Sequence, residues 1–195
     1  MKNGCVLFTA LLMVVSGCKG YSTHAIDENA LNKIDTNLLG IWRVAEDTDR
    51  RNFIYVERNY DVHHFSRDYG TRKFKQYEHC YYLTYMNRHG KNARYEQWLA
   101  FTSDINGTRF MNITYRNDGE GFFFVRFIKR SANRDTITTC MVADTNLRYL
   151  PDSKAVRKKI TGSINDPVFY SDTMHIYKIS SFHADLRQSM LKANP

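Results

Sequence analysis

Apolar and polar residues alternate along most of this chain. In one such run, residues 94–101, Leu99 and Phe101 share a face, and Glu96 and Trp98 lie on the opposite face. Alternation with period two indicates half-buried antiparallel strands, because successive side chains of a strand point to opposite sides of the sheet. The 13 Tyr, 12 Phe and only three Pro favour strands as well.

Turn signals separate the alternating runs. Asn106-Gly107 favours a tight type I′ hairpin, since both central residues of that turn need positive φ, and Asp118-Gly119 gives a second hairpin. Arg88-His89-Gly90-Lys91-Asn92 separates two earlier strands. The strands predicted in this way are residues 40–45, 52–58, 60–66, 74–86, 94–102, 108–114, 121–129 and 135–143.

The pattern changes after these strands. Asp152-Ser153 predicts the start of a helix over 153–164, and residues 174–179 predict a last strand. Residues 181–195 are expected to be a short terminal helix or a frayed tail. The fold class expected is therefore mainly β: an antiparallel up-and-down β-barrel of about eight strands, with one helix before a final strand, over residues 37–180.

The amino-terminal residues form a distinct segment. Lys2 is followed by an apolar run over 5–15, too short for an ordinary membrane-spanning helix, and then by Val15-Ser16-Gly17-Cys18. This ending resembles the lipobox of bacterial lipoproteins. The resemblance implies that residues 1–17 are a signal peptide, that Cys18 is the lipid attachment site, and that the protein is anchored in the cell envelope. Plain secretion without a lipid is the alternative.

Two further expectations concern the residues after that cysteine. In the resembling lipoproteins, the residue after the cysteine influences sorting between membranes, and Lys19 here points to the outer membrane. Residues 18–36 are expected to be a tether, with a brief helix over 27–34 that begins at Asp27.

Charge limits the partners. The formal net charge is +8, and loss of Lys2 with the signal peptide lowers it to +7. A basic protein attracts nucleic acid, anionic polysaccharide or anionic lipid, and an address outside the cytoplasm argues against nucleic acid. The basic residues are also dispersed, which favours a role in solubility.

The first predicted strand carries a family motif. Leu39-Gly40-Ile41-Trp42 contains the Gly-x-Trp of the opening strand of lipocalins, and the order of elements over 27–179 is similar to theirs. In that family the tryptophan plugs the closed end of the barrel, behind a short helix. A late arginine stacks on the tryptophan there, and the sequence does not identify its counterpart here.

No arrangement of reactive residues predicts catalysis. The chain has no Gly-x-Ser-x-Gly elbow and no phosphate-binding glycine loop, so we expect no enzyme, no cofactor and no catalytic residue. His63 and His64 point to opposite faces of a strand, and His64 could share a metal with His79 only if their strands pair in a suitable register, so no metal site is expected. Cys80 and Cys140 are either a disulfide or two buried thiols.

Two functional hypotheses follow. In the first, the barrel holds a small apolar or amphipathic ligand. The ligand-binding residues expected from alternation are Tyr81, Tyr85, Leu99, Phe101, Phe110 and Phe124. In the second, side chains fill the barrel, and its basic surface contacts an envelope protein or an anionic polymer. The run Phe122–Phe127 is apolar on both faces, so we expect the helix over 153–164, or another segment, to cover its outer face.

Overall fold

A computed structural model describes residues 21–47, 52–58, 79–89, 92–115 and 121–180. The strands are β1 (Tyr21–Ser22), β2 (Gly40–Val44), β3 (Asn52–Arg58), β4 (Tyr81–His89), β5 (Asn92–Ile105), β6 (Thr108–Tyr115), β7 (Phe122–Arg130), β8 (Thr136–Met141) and β9 (Met174–Ser180). The α-helix α1 spans Ser153–Gly162, and short 3-10 helices span Thr36–Leu38, Thr145–Tyr149 and Pro167–Phe169.

The sheet closes on itself as an eight-stranded antiparallel barrel. Strands β2 to β7 pair in sequence order, β9 pairs with both β2 and β8, and the β7–β8 pairing completes the circle. Strand β1 pairs with the first two residues of β7, Phe122 and Phe123. From Val125 onwards, the same edge of β7 pairs with β8. The predicted fold class, with one helix before a final strand, is confirmed.

The Asn106-Gly107 turn has the backbone that the sequence predicted. Asn106 has φ 49° and Gly107 has φ 77°, so both central residues lie in the left-handed region and join β5 to β6 directly. The second turn signal, Asp118-Gly119, lies outside the described residues. So do the strand predicted over 60–66, the signal peptide with Cys18, and the tail over 181–195.

Both faces of the sheet carry apolar clusters. The inner cluster contains Trp42, Tyr81 and Ile137 and lies in the barrel interior. The outer cluster lies on the other face of β4 to β7 and includes Phe101, Phe110 and Phe124. The register supports this division, because Tyr81 is opposite Ala100 whereas Tyr82 is opposite Leu99. The barrel therefore has a second core on its outside.

Helix α1 covers the outer face of β7. Its first turn is capped by Asp152, whose carboxylate accepts a hydrogen bond from the Ala155 backbone N–H at 2.7 Å. Val156 and Ile160, one turn apart, are fully buried in the outer cluster with Phe122 and Phe124. The expectation that the helix covers the outer face of the Phe122–Phe127 run is confirmed.

The amino-terminal segment, residues 23–35, also covers the outer face. The brief helix predicted over 27–34 is absent: this stretch has no regular helix, and the 3-10 helix lies further on, at Thr36–Leu38. The segment is held instead by contacts with the barrel. Ala25, Ile26 and Ala30 are buried in the outer cluster, and Asp27 forms an ion pair with Arg157 of α1 at 2.5 Å.

Candidate functional site

The two ends of the barrel differ. Neighbouring strands run in opposite directions, so every strand has one terminus at each end. We call one end the closed end because the Thr36–Leu38 helix lies there and packs on the inner cluster through Leu38. Its strand termini are Gly40, Arg58, Tyr81, Ile105, Thr108, Arg130, Thr136 and Ser180. The open end carries Val44, Asn52, His89, Asn92, Tyr115, Phe122, Met141 and Met174.

Trp42 seals the closed end. Its side chain is 2% exposed, and its indole N–H donates to the Leu38 carbonyl at 2.7 Å. The Lys178 ammonium lies over the indole ring, 5.2 Å from its centre, and donates to the Asn37 carbonyl at 2.9 Å. Lys178 is opposite Trp42 in the β2–β9 register. The basic partner of Trp42, which the sequence did not identify, is therefore a lysine on the last strand.

Charged groups surround this seal. The Asp35 carboxylate lies 2.9 Å from the Arg130 guanidinium and 3.5 Å from that of Arg109. Burial opposes ionisation of Asp35, but hydrogen bonds from Asn37 and the charge of Arg130 outweigh it and lower the pKa of this carboxyl below its usual value. The Asp35 backbone N–H donates to the Tyr81 hydroxyl at 2.7 Å. These contacts hold the Thr36–Leu38 helix across the end of the barrel.

Exposure of the interior side chains changes along the barrel. On β3, Val56 is buried while Ile54, two residues nearer the open end, is partly exposed. On β5 the same contrast separates Ala100 from Trp98, and on β6 it separates Met111 from Ile113. Partly exposed apolar side chains packed against the inner cluster include Ile54, Trp98, Ile113, Val125, Phe127 and Ile176. On β3, β5 and β6 the exposure of the interior side chains therefore rises towards the open end, whereas Tyr85 and Asn52, on the same side of the barrel, are buried.

We call the half of the interior nearer the open end the open half. An aromatic pair and several polar groups line it. The rings of Tyr85 and Trp98 stack with centres 6.0 Å apart. The Tyr85 hydroxyl donates to the Asn52 side-chain oxygen at 2.8 Å, and the Asn87 amide donates to the same oxygen at 2.7 Å. Burial raises the pKa of Tyr85 to about 12, so its hydroxyl keeps its proton at neutral pH.

A carboxylate belongs to the same wall. Glu96 is opposite Tyr85 in the β4–β5 register, two residues from Trp98 on the same strand. It therefore lies on the inner face, and its charge also raises the pKa of Tyr85. The open half thus combines apolar side chains with hydrogen-bonding groups on one side, as small-molecule pockets do.

The structure divides the six ligand-binding residues expected from the sequence. Tyr81 and Tyr85 face the interior. The prediction is wrong for the other four, which lie in the outer cluster beneath α1 and the amino-terminal segment: Leu99, Phe101, Phe110 and Phe124. Both faces of these strands are apolar because both are covered, so apolar character does not identify the inner face.

Cys80 and Cys140 are buried and no disulfide joins them. Cys80 directly precedes β4, which pairs with β3 and β5, whereas Cys140 is in β8, which pairs with β7 and β9. Cys80 lies in the outer cluster, just before β4. Cys140 is opposite Arg126, and burial raises the pKa of its thiol. Of the two alternatives, buried thiols are observed.

Sequence reasoning also missed residues that line the open half. Alternation alone assigns Trp98 and Glu96 to the polar face of their strand, the face expected to meet solvent, but both lie on the inner face. A helix that covers the sheet buries Leu99 on the outer face. Trp98 and Glu96 then point inwards, because Trp98 is next to Leu99 and Glu96 is two residues before Trp98. His79 lies at the closed end, where its ring nitrogen is 2.7 Å from the Ala30 carbonyl.

No protein-family model, curated protein or solved structure matches this chain. Within the described ranges, no helix is both long and apolar enough to cross a lipid bilayer. In the same part of the chain, no three His, Cys, Asp or Glu side chains form a group that would hold a metal ion. The geometry of the barrel is therefore the basis for inferring function.

Proposed function

We propose that this chain is a lipid-anchored, lipocalin-like protein of the bacterial cell envelope, in the outer membrane. It holds a small apolar or amphipathic molecule in the open half of its barrel and catalyses no reaction. The ligand enters past the open end and stops above Trp42. The polar end of an amphipathic ligand lies beside Tyr85, Asn52 and Glu96.

The rise in exposure towards the open end on β3, β5 and β6 supports this function most strongly. Ile54, Trp98 and Ile113 are partly exposed although they point into the barrel. A ligand that removes such surface from water gains about 2.5 kcal/mol for each 100 Å² of apolar area buried. The apolar lining thus favours an occupant with hydrocarbon character.

The closed end supports the family resemblance. Trp42, the short helix before it and the basic side chain over its ring correspond to the lipocalin features that the sequence resembles. The helix is a 3-10 helix at Thr36–Leu38, and the basic residue is Lys178 where an arginine is typical. The anchor at Cys18 is supported by the lipobox-like Val15-Ser16-Gly17-Cys18.

We expect that Val125→Trp will weaken binding of an apolar fluorophore, N-phenyl-1-naphthylamine, by at least about tenfold, or about 1.4 kcal/mol. Val125 faces the interior between Phe127 and Phe123, so an indole there takes up ligand space. The measurement is a fluorescence titration of the purified protein, with circular dichroism to verify the fold.

Ile128→Trp is the matched control. Ile128 lies on the same strand but is 46% exposed to solvent, so we expect unchanged binding. Equal affinity of both variants would place the fluorophore elsewhere on the protein. The alternative is a filled barrel that contacts an envelope protein or polysaccharide. It would be favoured if the unsubstituted protein did not bind the fluorophore and if no small molecule remained bound to it through gentle purification.

A further inference from the structure

The position of β1 restricts how the barrel sits on the membrane. Tyr21 and Ser22 pair with Phe123 and Phe122, the open-end residues of β7. The Tyr21 ring lies beside Gly121, where an added Cβ would come within 3.4 Å of it. The chain is therefore attached to the barrel close to the open end, before residues 23–35 run towards the closed end.

The chain between the proposed anchor and β1 is short. Only Lys19 and Gly20 separate Cys18 from Tyr21. Three residues span at most about 11 Å when fully extended. Along β7, in contrast, Phe123 and Arg130 are seven residues apart, which corresponds to about 23 Å of strand, or about 18 Å along the axis of a barrel with strands tilted ~40°. The closed end is therefore out of reach of the lipid.

Exposed apolar side chains lie near the same attachment point. Among the described residues, the two most exposed large hydrophobic side chains are Val168, at 86%, and Tyr149, at 70%. Tyr149 ends the 3-10 helix Thr145–Tyr149, which contacts β1. Val168 belongs to the Pro167–Phe169 helix. The Phe169 carbonyl of that helix accepts a hydrogen bond from the backbone N–H of Ala143, two residues after β8 ends.

The chemistry of this surface suits a lipid headgroup region. The Arg148 guanidinium lies over the Tyr149 ring, 4.6 Å from its centre. An aromatic ring beside a basic group is typical of residues at a membrane–water interface, where the ring contacts acyl chains and the cation contacts phosphates. The nearby helix α1 contributes the exposed Lys154 and Lys158.

We infer that the open end of the barrel, with Tyr149 and Val168, faces the phospholipid surface that holds the anchor. The inference rests on the proposed function, because it requires an acylated Cys18. The partner is the phospholipid bilayer itself. With this orientation, an amphipathic molecule passes between the bilayer and the open half of the barrel without crossing bulk water.

The test uses the acylated full chain in vesicles of phosphatidylethanolamine and phosphatidylglycerol. The variants V168C, Y149C and N133C each gain one exposed cysteine, which carries an environment-sensitive fluorophore, and the vesicles contain lipids with a nitroxide on the acyl chain. Asn133 is the control, because it is exposed in the turn between β7 and β8 at the closed end. Acylated protein without an added cysteine measures the background labelling of Cys80 and Cys140.

We expect the fluorophores at V168C and Y149C to lose most of their emission, and the one at N133C to keep it. Equal quenching at all three positions, quenching of N133C alone, or no quenching would each overturn the orientation. Mass spectrometry of the same preparation separates the two ideas. An amino-terminal residue without acyl chains refutes the anchor, whereas an acylated Cys18 with the wrong quenching pattern refutes only the orientation.

Discussion

Replacing Trp42 with alanine will lower the free energy of unfolding by about 4 kcal/mol, a loss typical of truncating a fully buried tryptophan. The indole is 2% exposed and packs in the inner cluster between Ile54 and Lys178, its neighbours across β3 and β9. Its removal leaves a cavity, an unmatched Leu38 carbonyl and a lysine without the ring beneath it. Urea unfolding followed by circular dichroism measures the change.

Tyr149→Ala serves as the comparison for this experiment. That side chain is also aromatic but is 70% exposed, so its truncation should change the free energy of unfolding by less than about 0.5 kcal/mol. A loss below about 1.5 kcal/mol for Trp42→Ala would mean that this residue does not seal the closed end.

The second large effect concerns Asn112 on the outer face. This side chain is fully buried, accepts a hydrogen bond from the Ile26 N–H at 2.9 Å, and donates to the Phe101 carbonyl and to the Ser103 hydroxyl. Asn112→Ala removes these three hydrogen bonds and takes the side-chain acceptor away from the buried Ile26 N–H. We expect a loss of about 3 kcal/mol in the free energy of unfolding and faster hydrogen exchange at the Ile26 amide.

Asn165→Ala is the matched control, since Asn165 is exposed in the loop after α1 and its truncation should be nearly neutral. The Asn112 prediction would be refuted if Ile26 exchanged at its original rate in the Asn112→Ala protein. In that case another group, and not this asparagine, would hold the amino-terminal segment on the barrel.

Local signals predicted most of the strands correctly. The strand over 40–45 is observed at Gly40–Val44, and the last strand over 174–179 at Met174–Ser180. These elements are determined by alternation and by nearby turn residues, which act over a few positions. Strand β5 runs to Ile105, three residues beyond its prediction, because its pairing with β6 continues up to the Asn106-Gly107 turn.

The face of each strand could not be predicted in the same way. Leu99 and Trp98 are adjacent and both apolar, so either could face the interior. The choice depends on α1 and the amino-terminal segment, which bury Leu99 from outside through contacts distant in the sequence. Lys178 was missed for a related reason, since only the β2–β9 register brings it opposite Trp42.

The central claim is that the interior admits a ligand in its open half and is sealed in its closed half. The two tryptophans of the chain report on these halves separately, Trp98 on the open half and Trp42 on the seal. Titration with a bromine-labelled long-chain alcohol measures heavy-atom quenching in Trp42→Phe, where only Trp98 emits, and in Trp98→Phe, where only Trp42 emits. We predict quenching of Trp98 and unchanged emission from Trp42. Quenching of neither tryptophan, or of Trp42 in preference to Trp98, would contradict the account.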